Sequence, residues 1–414
     1  MNYSLLRISK LYDNYISDYE KKHTNDSFLN YDEQYINLIQ NSQDLSSSYE
    51  KYFKEIGVNA INIILNARLL QKTWAMEHNV TQHISATELI FEQVKFYKPD
   101  IVWLDASELF DQEWVYNLKS RLSSIKLIIG HICSPVNANM IESFSSFDLI
   151  LACSTCIQKE LAIYNIKAEL LYHGFDHSIL DYIKSDKTQN KIDVLFTGSL
   201  FTGFGFHGRR IEYIEKMIES NISIKIFGNI ESRKKVFLKQ CMNRTIIILS
   251  LLRLEFLIEK IPILKKYRNY EKEKIKYYSE NLIRSVQPPK FGLEMLQLLN
   301  NSKICFNIHG GNSERKCAGN MRLFESTGIG TCLITDWKEN ISDFFVIDKE
   351  IITYKTMEEC ITKIKWLLNH PEEAERIAKA GQMRTLKDHT ILKRVKDLDV
   401  ILRNRLKIIN STNI

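Results

Sequence analysis

Short apolar runs recur along this chain, each followed by a longer segment whose apolar residues return every third or fourth position. The first set comprises 60–65 (AINIIL), the run DIVWLDAS reaching Asp105, 126–130 (KLIIG), 148–152 (DLILA) and 168–171 (AELL). Between them, 85–97, 137–145 and 156–164 carry the helical period, the first ended by Pro99. Continuous rather than alternating strands, separated by helices, predict a parallel sheet covered on both faces. Residues 57–180 therefore form one Rossmann-like domain. Residues 1–55 are polar and Tyr-rich, and their loose helical spacing predicts helices at 5–15 and 32–56 instead of an opening strand. The polar run at 185–191 (SDKTQNK) is the expected linker.

The pattern restarts at 192–197 (IDVLFT), followed by a Gly-rich loop, a helix over 210–219 and a strand over 223–227. It breaks over 231–290, which is long, helical and basic. This stretch holds 15 Lys/Arg against 6 Asp/Glu, an excess larger than the +6 of the whole chain. The alternation resumes at 292–299 and runs through the strand 304–311 (ICFNIHGG) into 317–336, CAGNMRLFESTGIGTCLITD. That stretch predicts a Gly-containing loop, a short helix carrying Arg322 and Glu325, a Gly328/Gly330 turn and a strand ending at Asp336. A further strand is expected near 344–347, then helices over 357–368 and 371–381. The latter starts with proline and acidic residues that suit the positive end of a helix. A last helix over 390–407 is long enough to cross back onto the first domain. The expected division is 1–185, 186–389 with a helical insertion at 231–290, and 390–414.

Composition changes this picture little. With 414 residues, 44% hydrophobic and 26% charged, the chain has the material for two or three cores. The opening residues lack a long apolar segment, and no window reaches the length of a membrane span. Eight cysteines are too sparse for a disulfide scaffold and read as reduced residues of a cytoplasmic protein.

The candidate chemistry lies at strand ends, where open α/β sheets collect their ligands. In 317–336, backbone N–H groups at the helix start after Gly319, with Asn320 and Arg322, offer a seat for phosphate oxygens. Glu325 shares a helical face with Arg322, and a carboxylate there can accept from ribose hydroxyls. An Arg–Glu surface pair is the plainer reading. The loop after 197 carries Gly198, His207, Arg209 and Arg210, a cationic end suited to covering a diphosphate. It lacks the dinucleotide glycine register, which disfavours NAD. Asp105, His131 and His173 each follow a strand of the first domain, and His309 ends the strand before the 317–336 stretch; these are the candidates for acid–base work or acceptor contacts. His131, Cys133, Cys153 and Cys156 contain one C-x2-C pair, but two of these cysteines end buried-type strands and no second pair exists, so no metal site is expected. The basic 231–290 stretch reads first as a solubilised insertion and second as a surface for membranes or lipid-linked acceptors; nucleic acid is not expected.

The runs CAGNMRLFESTGIGTCLITDWKENISDFF and HPEEAERIAKAGQMRTLKDHT, with PPKFGLEMLQLLNNSKICFNIHG before them and YDEQY, LLQKTWA and KPDIVWLD in the first half, resemble the CgeB-like (spore maturation protein) glycosyltransferases. These are relatives of the group 1 enzymes of GT-B fold. The resemblance covers most of the chain, least clearly 231–285. It implies two Rossmann-like domains facing a central cleft, the nucleotide-sugar on the second and the acceptor on the first. Glu325 matches the ribose-binding glutamate, and the helix start at 319–322 faces the diphosphate. Where group 1 enzymes keep an earlier glutamate near the donor sugar, this chain has Cys317, with Glu314 and Arg315 only nearby. The Arg and Lys expected after the first strand of the second domain are also missing, so His207, Arg209 and Arg210 are expected to neutralise the diphosphate. The resulting expectation is a metal-independent, retaining transfer of a sugar from a nucleoside diphosphate to a hydroxyl of a glycan, lipid-linked or protein acceptor, with no cofactor. A non-catalytic sugar-nucleotide or glycan-binding adaptor, and a hydrolase or epimerase on the same fold, are the alternatives.

Overall fold

The computed structural model describes residues 2–42, 45–80, 84–134, 136, 138–184, 191–203, 208–267, 275–310 and 316–412. The chain divides into two compact units, residues 1–183 with 291–293 and 385–414, and residues 184–290 with 294–384.

The first unit is built on six parallel strands: β1 (Ser4–Ser9), β2 (Asn59–Ile64), β3 (Ile101–Leu104), β4 (Leu127–Ile132), β5 (Leu149–Ala152) and β6 (Ala168–Leu170), in the order β2-β1-β3-β4-β5-β6. The expected helix over 5–15 is wrong. Residues Leu5, Leu6 and Ile8 are buried in β1, a central strand of the sheet, and full burial of each such side chain contributes about 1.5–3 kcal/mol. The strand is hard to read because Arg7 interrupts its apolar run. That side chain is itself buried: it ion-pairs with Asp105 at 2.6 Å and lies 4.9 Å from the ring centres of both Tyr49 and Trp103. Three helices, Asp13–Lys22, Tyr31–Ser42 and Leu45–Glu55, follow β1, so the helical N-terminal segment exists but starts after the strand. The final helix, Ile391–Thr412, buries Ile391, Val395, Leu398, Leu402 and Leu406 in one cluster with Tyr3, Leu5, Tyr52 and Phe53.

The second unit repeats the plan with β7 (Ile192–Thr197), β8 (Ile224–Phe227), β9 (Val286–Gln287), β10 (Ser302–Asn307), β11 (Cys332–Asp336) and β12 (Ile352–Tyr354). All are parallel, in the order β12-β11-β10-β7-β8-β9. The edge strand lies at β12, not near 344–347: Ile341–Asp343 forms a 3-10 turn, and Ile347 makes only an isolated bridge to Ile351. Strand order reverses between β7 and β10, the topological switch point at whose carboxyl side such sheets bind ligands. Gly228, the residue after β8, lies so close to the end of β7 that a Cβ there would stand 2.0 Å from the Gly198 carbonyl oxygen.

The insertion is helical at Arg233–Leu251, Glu255–Lys260, Pro262–Tyr267 and Glu280–Ser285. A buried Glu231–Lys239 pair at 2.7 Å anchors its start, with Thr202 donating to the same carboxylate. Among the described residues no helix is long and apolar enough to cross a membrane. Six cysteines, at 133, 153, 241, 305, 332 and 360, are free thiols; the expectation that all eight are reduced fails at Cys156 and Cys317.

Candidate functional site

In the second unit, β10 and β11 run side by side and deliver His309 and Asp336 to the same edge of the sheet. The backbone N–H of His309 donates to Asp336 Oδ1 at 2.8 Å, and its Nδ1 donates to the same oxygen at 2.7 Å. Lys338 holds the other oxygen at 3.2 Å. Burial would raise the Asp336 carboxyl; the His309 and Lys338 charges and the hydrogen bonds from His309 outweigh it and hold the group well below the usual carboxylate range. With Nδ1 committed, the imidazole is fixed in orientation. Among the described residues its buried Nε2 has no hydrogen-bond partner, nor do Oδ1 of Asn320 and Oγ1 of Thr197, the last residue of β7. Buried polar atoms are ordinarily paired, so unpaired ones at a sheet's carboxyl edge are places for ligand atoms.

Beside this pair opens a pocket of about 290 Å³ lined by Arg209, Lys316, Asp336, Lys338, Tyr354 and Lys355, among others. Arg209 reaches Tyr213 Oη at 3.3 Å, and Lys355 lies 4.9 Å from the Trp337 ring centre. Tyr354 donates to the Asn307 carbonyl at 2.9 Å, fixing the pocket floor to the end of β10. The four cations face two carboxylates, Asp336 and Glu339, which favours an anionic occupant.

The predicted residues fare differently. Arg209 lines the pocket. Arg210 does not present a free fork: Nη1 donates to the Ser199 carbonyl at 3.2 Å, and Nε and Nη2 to the Ile308 carbonyl at 3.3 and 3.1 Å. It ties the loop after β7 to the end of β10 across the switch point. Burial and the nearby Arg322 cation push its guanidinium down to about 10. His207, Glu314 and Arg315 lie outside the described residues. Gly198 and Gly319 flank the sheet edge in loops. Asn320 donates to Asn307 Oδ1 at 2.9 Å, and Asn340 braces Ala318 through two hydrogen bonds, so the loop before the helix Arg322–Ile329 is held in place. Arg322 and Glu325 pair with each other at 3.0 Å, but with side chains only 17% and 14% exposed they are not the surface pair of the plainer reading. Lys338, Tyr354 and Lys355 were not singled out from the sequence; each sits on or just after a strand end, the one signal available for them.

In the first unit, β3 and β4 bring Asp105 and His131 together: Nδ1 of His131 donates to Asp105 Oδ1 at 2.6 Å, while Arg7 holds Oδ2. Burial would raise the Asp105 carboxyl, but Arg7 and His131 hold it well below the usual range. The Nε2 of His131 faces Cys133 Sγ at 3.4 Å. His173, following β6, lies with Cys133 and Cys153, the three ligating atoms within 4.8 Å of one another; Cys156 is not in this group.

Comparison with known proteins follows the same two halves. The structure matches a glycosyltransferase from Rickettsia africae ESF-5 with TM-score 0.58, 13% identity, and coverage of 98% of this chain and 99% of that one. The fold is GT-B. Anabaena Alr3699/HepE, solved in complex with UDP and glucose, matches with TM-score 0.56 at 12% identity, over 97% of this chain and 100% of that one. An alpha-glucosyltransferase solved with UDP-glucose and DNA containing an abasic site matches with TM-score 0.53 at 11% identity, over 97% and 100%. A glycosyl transferase-like family profile matches residues 270–399, which include His309, Asp336 and most of the pocket wall. No curated protein matches in sequence.

Proposed function

We propose that this chain is a glycosyltransferase that moves a sugar from a nucleoside diphosphate to a hydroxyl acceptor. The observation that carries this reading is the cationic pocket on the carboxyl edge of the second sheet, one of whose lining residues, Asp336, holds His309. It is supported by structural relatives solved with UDP or UDP-glucose and by the glycosyl transferase-like profile over the same segment.

In the proposed step, the bond between the anomeric carbon and the diphosphate oxygen breaks and that oxygen keeps the electron pair. The acceptor oxygen forms the new bond, and its proton passes to the leaving diphosphate. Arg209 and the pocket lysines meet the charge that develops on the diphosphate, the type of stabilisation that contributes most when donors are already in place. His309, oriented by Asp336, offers Nε2 to the donor. Glu325 remains the proposed ribose contact and Asn320–Arg322 the diphosphate contact, in which case the Arg322–Glu325 pair opens to admit the donor. No cofactor enters the step. Retention of anomeric configuration, the narrower CgeB-like kinship and placement of the acceptor on the first unit rest on the sequence resemblance alone. Asp105 and His131 are not retained as proton carriers: both oxygens of Asp105 are engaged, and His131 Nε2 faces a sulfur.

The proposed setting is cytoplasmic, with the insertion against an anionic membrane surface that brings lipid-linked acceptors within reach. Phe237, Leu238, Ile248, Leu251, Leu252 and Phe256 stand exposed there amid the basic residues. Interfacial helices have this composition. Sedimentation with phosphatidylglycerol vesicles, but not phosphatidylcholine vesicles, is expected; equal recovery in both supernatants contradicts it.

The function itself is tested by a nucleotide-sugar panel with candidate acceptors, reading release of UDP, GDP or dTDP. Acceptor-dependent release supports transfer. Release without acceptor points to hydrolysis, and binding without turnover to an adaptor; either overturns the transferase reading.

A further inference from the structure

Strands β4, β5 and β6 are neighbours in parallel register, with Ile132 beside Ala152 and Ala152 beside Leu170. The next residues along two of them, Cys133 and Cys153, therefore emerge at the same level on the carboxyl edge. His173 follows β6 on the third strand. The two Sγ atoms and a His173 ring nitrogen lie within 4.8 Å of one another, with Cys153 buried and the other two half-buried. A fourth group adjoins them: His131 Nε2, 3.4 Å from Cys133 Sγ. In the neutral ring its Nδ1 carries the proton it donates to Asp105, so Nε2 presents its lone pair towards the sulfur.

From this geometry we infer that Cys133, Cys153, His173 and His131 form a zinc site that pins the carboxyl ends of β4, β5 and β6. Thiolate sulfurs and imidazole nitrogens at about 2.0–2.3 Å from a tetrahedral zinc stand roughly 3.3–3.8 Å apart. The ligand atoms of Cys133, Cys153 and His173 already lie within 4.8 Å of one another, and His131, outside that set of three, completes the tetrahedron by closing in from its 3.4 Å contact with Cys133. Two thiolates with two imidazoles select zinc over the hard cations. Asp105 completes the arrangement from behind. A carboxylate accepting from the remote ring N–H fixes the tautomer of a ligating histidine and raises its basicity. The C-x2-C spacing hides this site, because its second cysteine is not a ligand and the set is assembled by three strands. It stands on the first unit alone and does not rest on the transferase reading.

The test uses the full chain, reduced, stripped with a chelator and titrated with zinc under native mass spectrometry. One tightly held zinc per chain is expected. Cys133→Ser and Cys153→Ser are expected to abolish it, Cys241→Ser to leave it unchanged, and Asp105→Asn to weaken it by about 10–100-fold. Retention of the same zinc affinity in Cys133→Ser, or no tightly held zinc in the reduced wild type, overturns the assignment. Should the serine variants fail to fold, cobalt substitution of the wild type decides. Thiolate-to-cobalt charge transfer with the intense visible bands of a tetrahedral centre supports the site; the weak spectrum of an octahedral ion overturns it.

Discussion

At the carboxyl edge of the first sheet, Asp105 accepts from His131 Nδ1 at 2.6 Å; at that of the second, Asp336 accepts from His309 Nδ1 at 2.7 Å. Both aspartates are held well below the usual range, and both carry a cation on the second oxygen, Arg7 in one unit and Lys338 in the other. The far nitrogen separates them. In the first unit Nε2 of His131 meets Cys133, among sulfur and imidazole groups; in the second Nε2 of His309 has no partner among the described residues, and the Asp336 that holds its ring lines a pocket of lysines and Arg209. The same device, a carboxylate orienting an imidazole, thus stands beside a thiol–imidazole cluster in one half and beside an open cationic pocket in the other. What decides its use is what lies beyond the ring.

The largest effect is expected on the open side. His309→Gln removes the oriented ring, and a transition-state donor of this kind is worth about 10²–10³-fold in kcat. Steady-state turnover with a productive donor and acceptor measures it; unchanged kcat removes His309 from the step. On the closed side the loss should appear as stability. Arg7→Met leaves Asp105 with a buried, half-partnered charge, expected to lower unfolding free energy by about 3 kcal/mol in a urea titration. An effect near zero would mean the pair is no more than a surface bridge.

A smaller effect, on the order of 2 kcal/mol per group, follows pH. For each aspartate the folded value is depressed below the ordinary 3.8, so its contribution is complete above that value and is lost as pH falls below it. Urea unfolding across the acid limb is expected to steepen below about pH 4, and Asp105→Asn and Asp336→Asn should each flatten it. A slope unaltered in both variants contradicts the shared role of the two carboxylates.

Much of the architecture is legible because parallel strands covered on both faces must be continuously apolar: β2, β4, β5, β7 and β11 stand out as runs. β1 does not, since Arg7 sits in the run and its burial is made tolerable by partners distant in sequence, Asp105 above all. The edge strand β12 is three residues long, too short to outweigh the aromatic run just before it. At the site, His309 was reachable because it follows a strand, and Arg209 because it closes the Gly-rich loop after β7. Arg210 looked equivalent to Arg209, yet its role depends on two carbonyls, one of them some hundred positions away, which no local pattern encodes. Lys338 and Lys355 were hidden among other surface lysines until strand order placed them around one pocket.

The most direct measurement is calorimetric titration of UDP, GDP and dTDP into the wild type and into Arg209→Ala and Glu325→Ala, with thermal melts to confirm the fold. At least one nucleoside diphosphate is expected to bind the wild type, and losing one charge-assisted contact should weaken it roughly tenfold or more in each variant. Wild-type affinity retained in Arg209→Ala, or no binding of any of the three to the wild type, contradicts a donor site on the carboxyl edge of the second sheet.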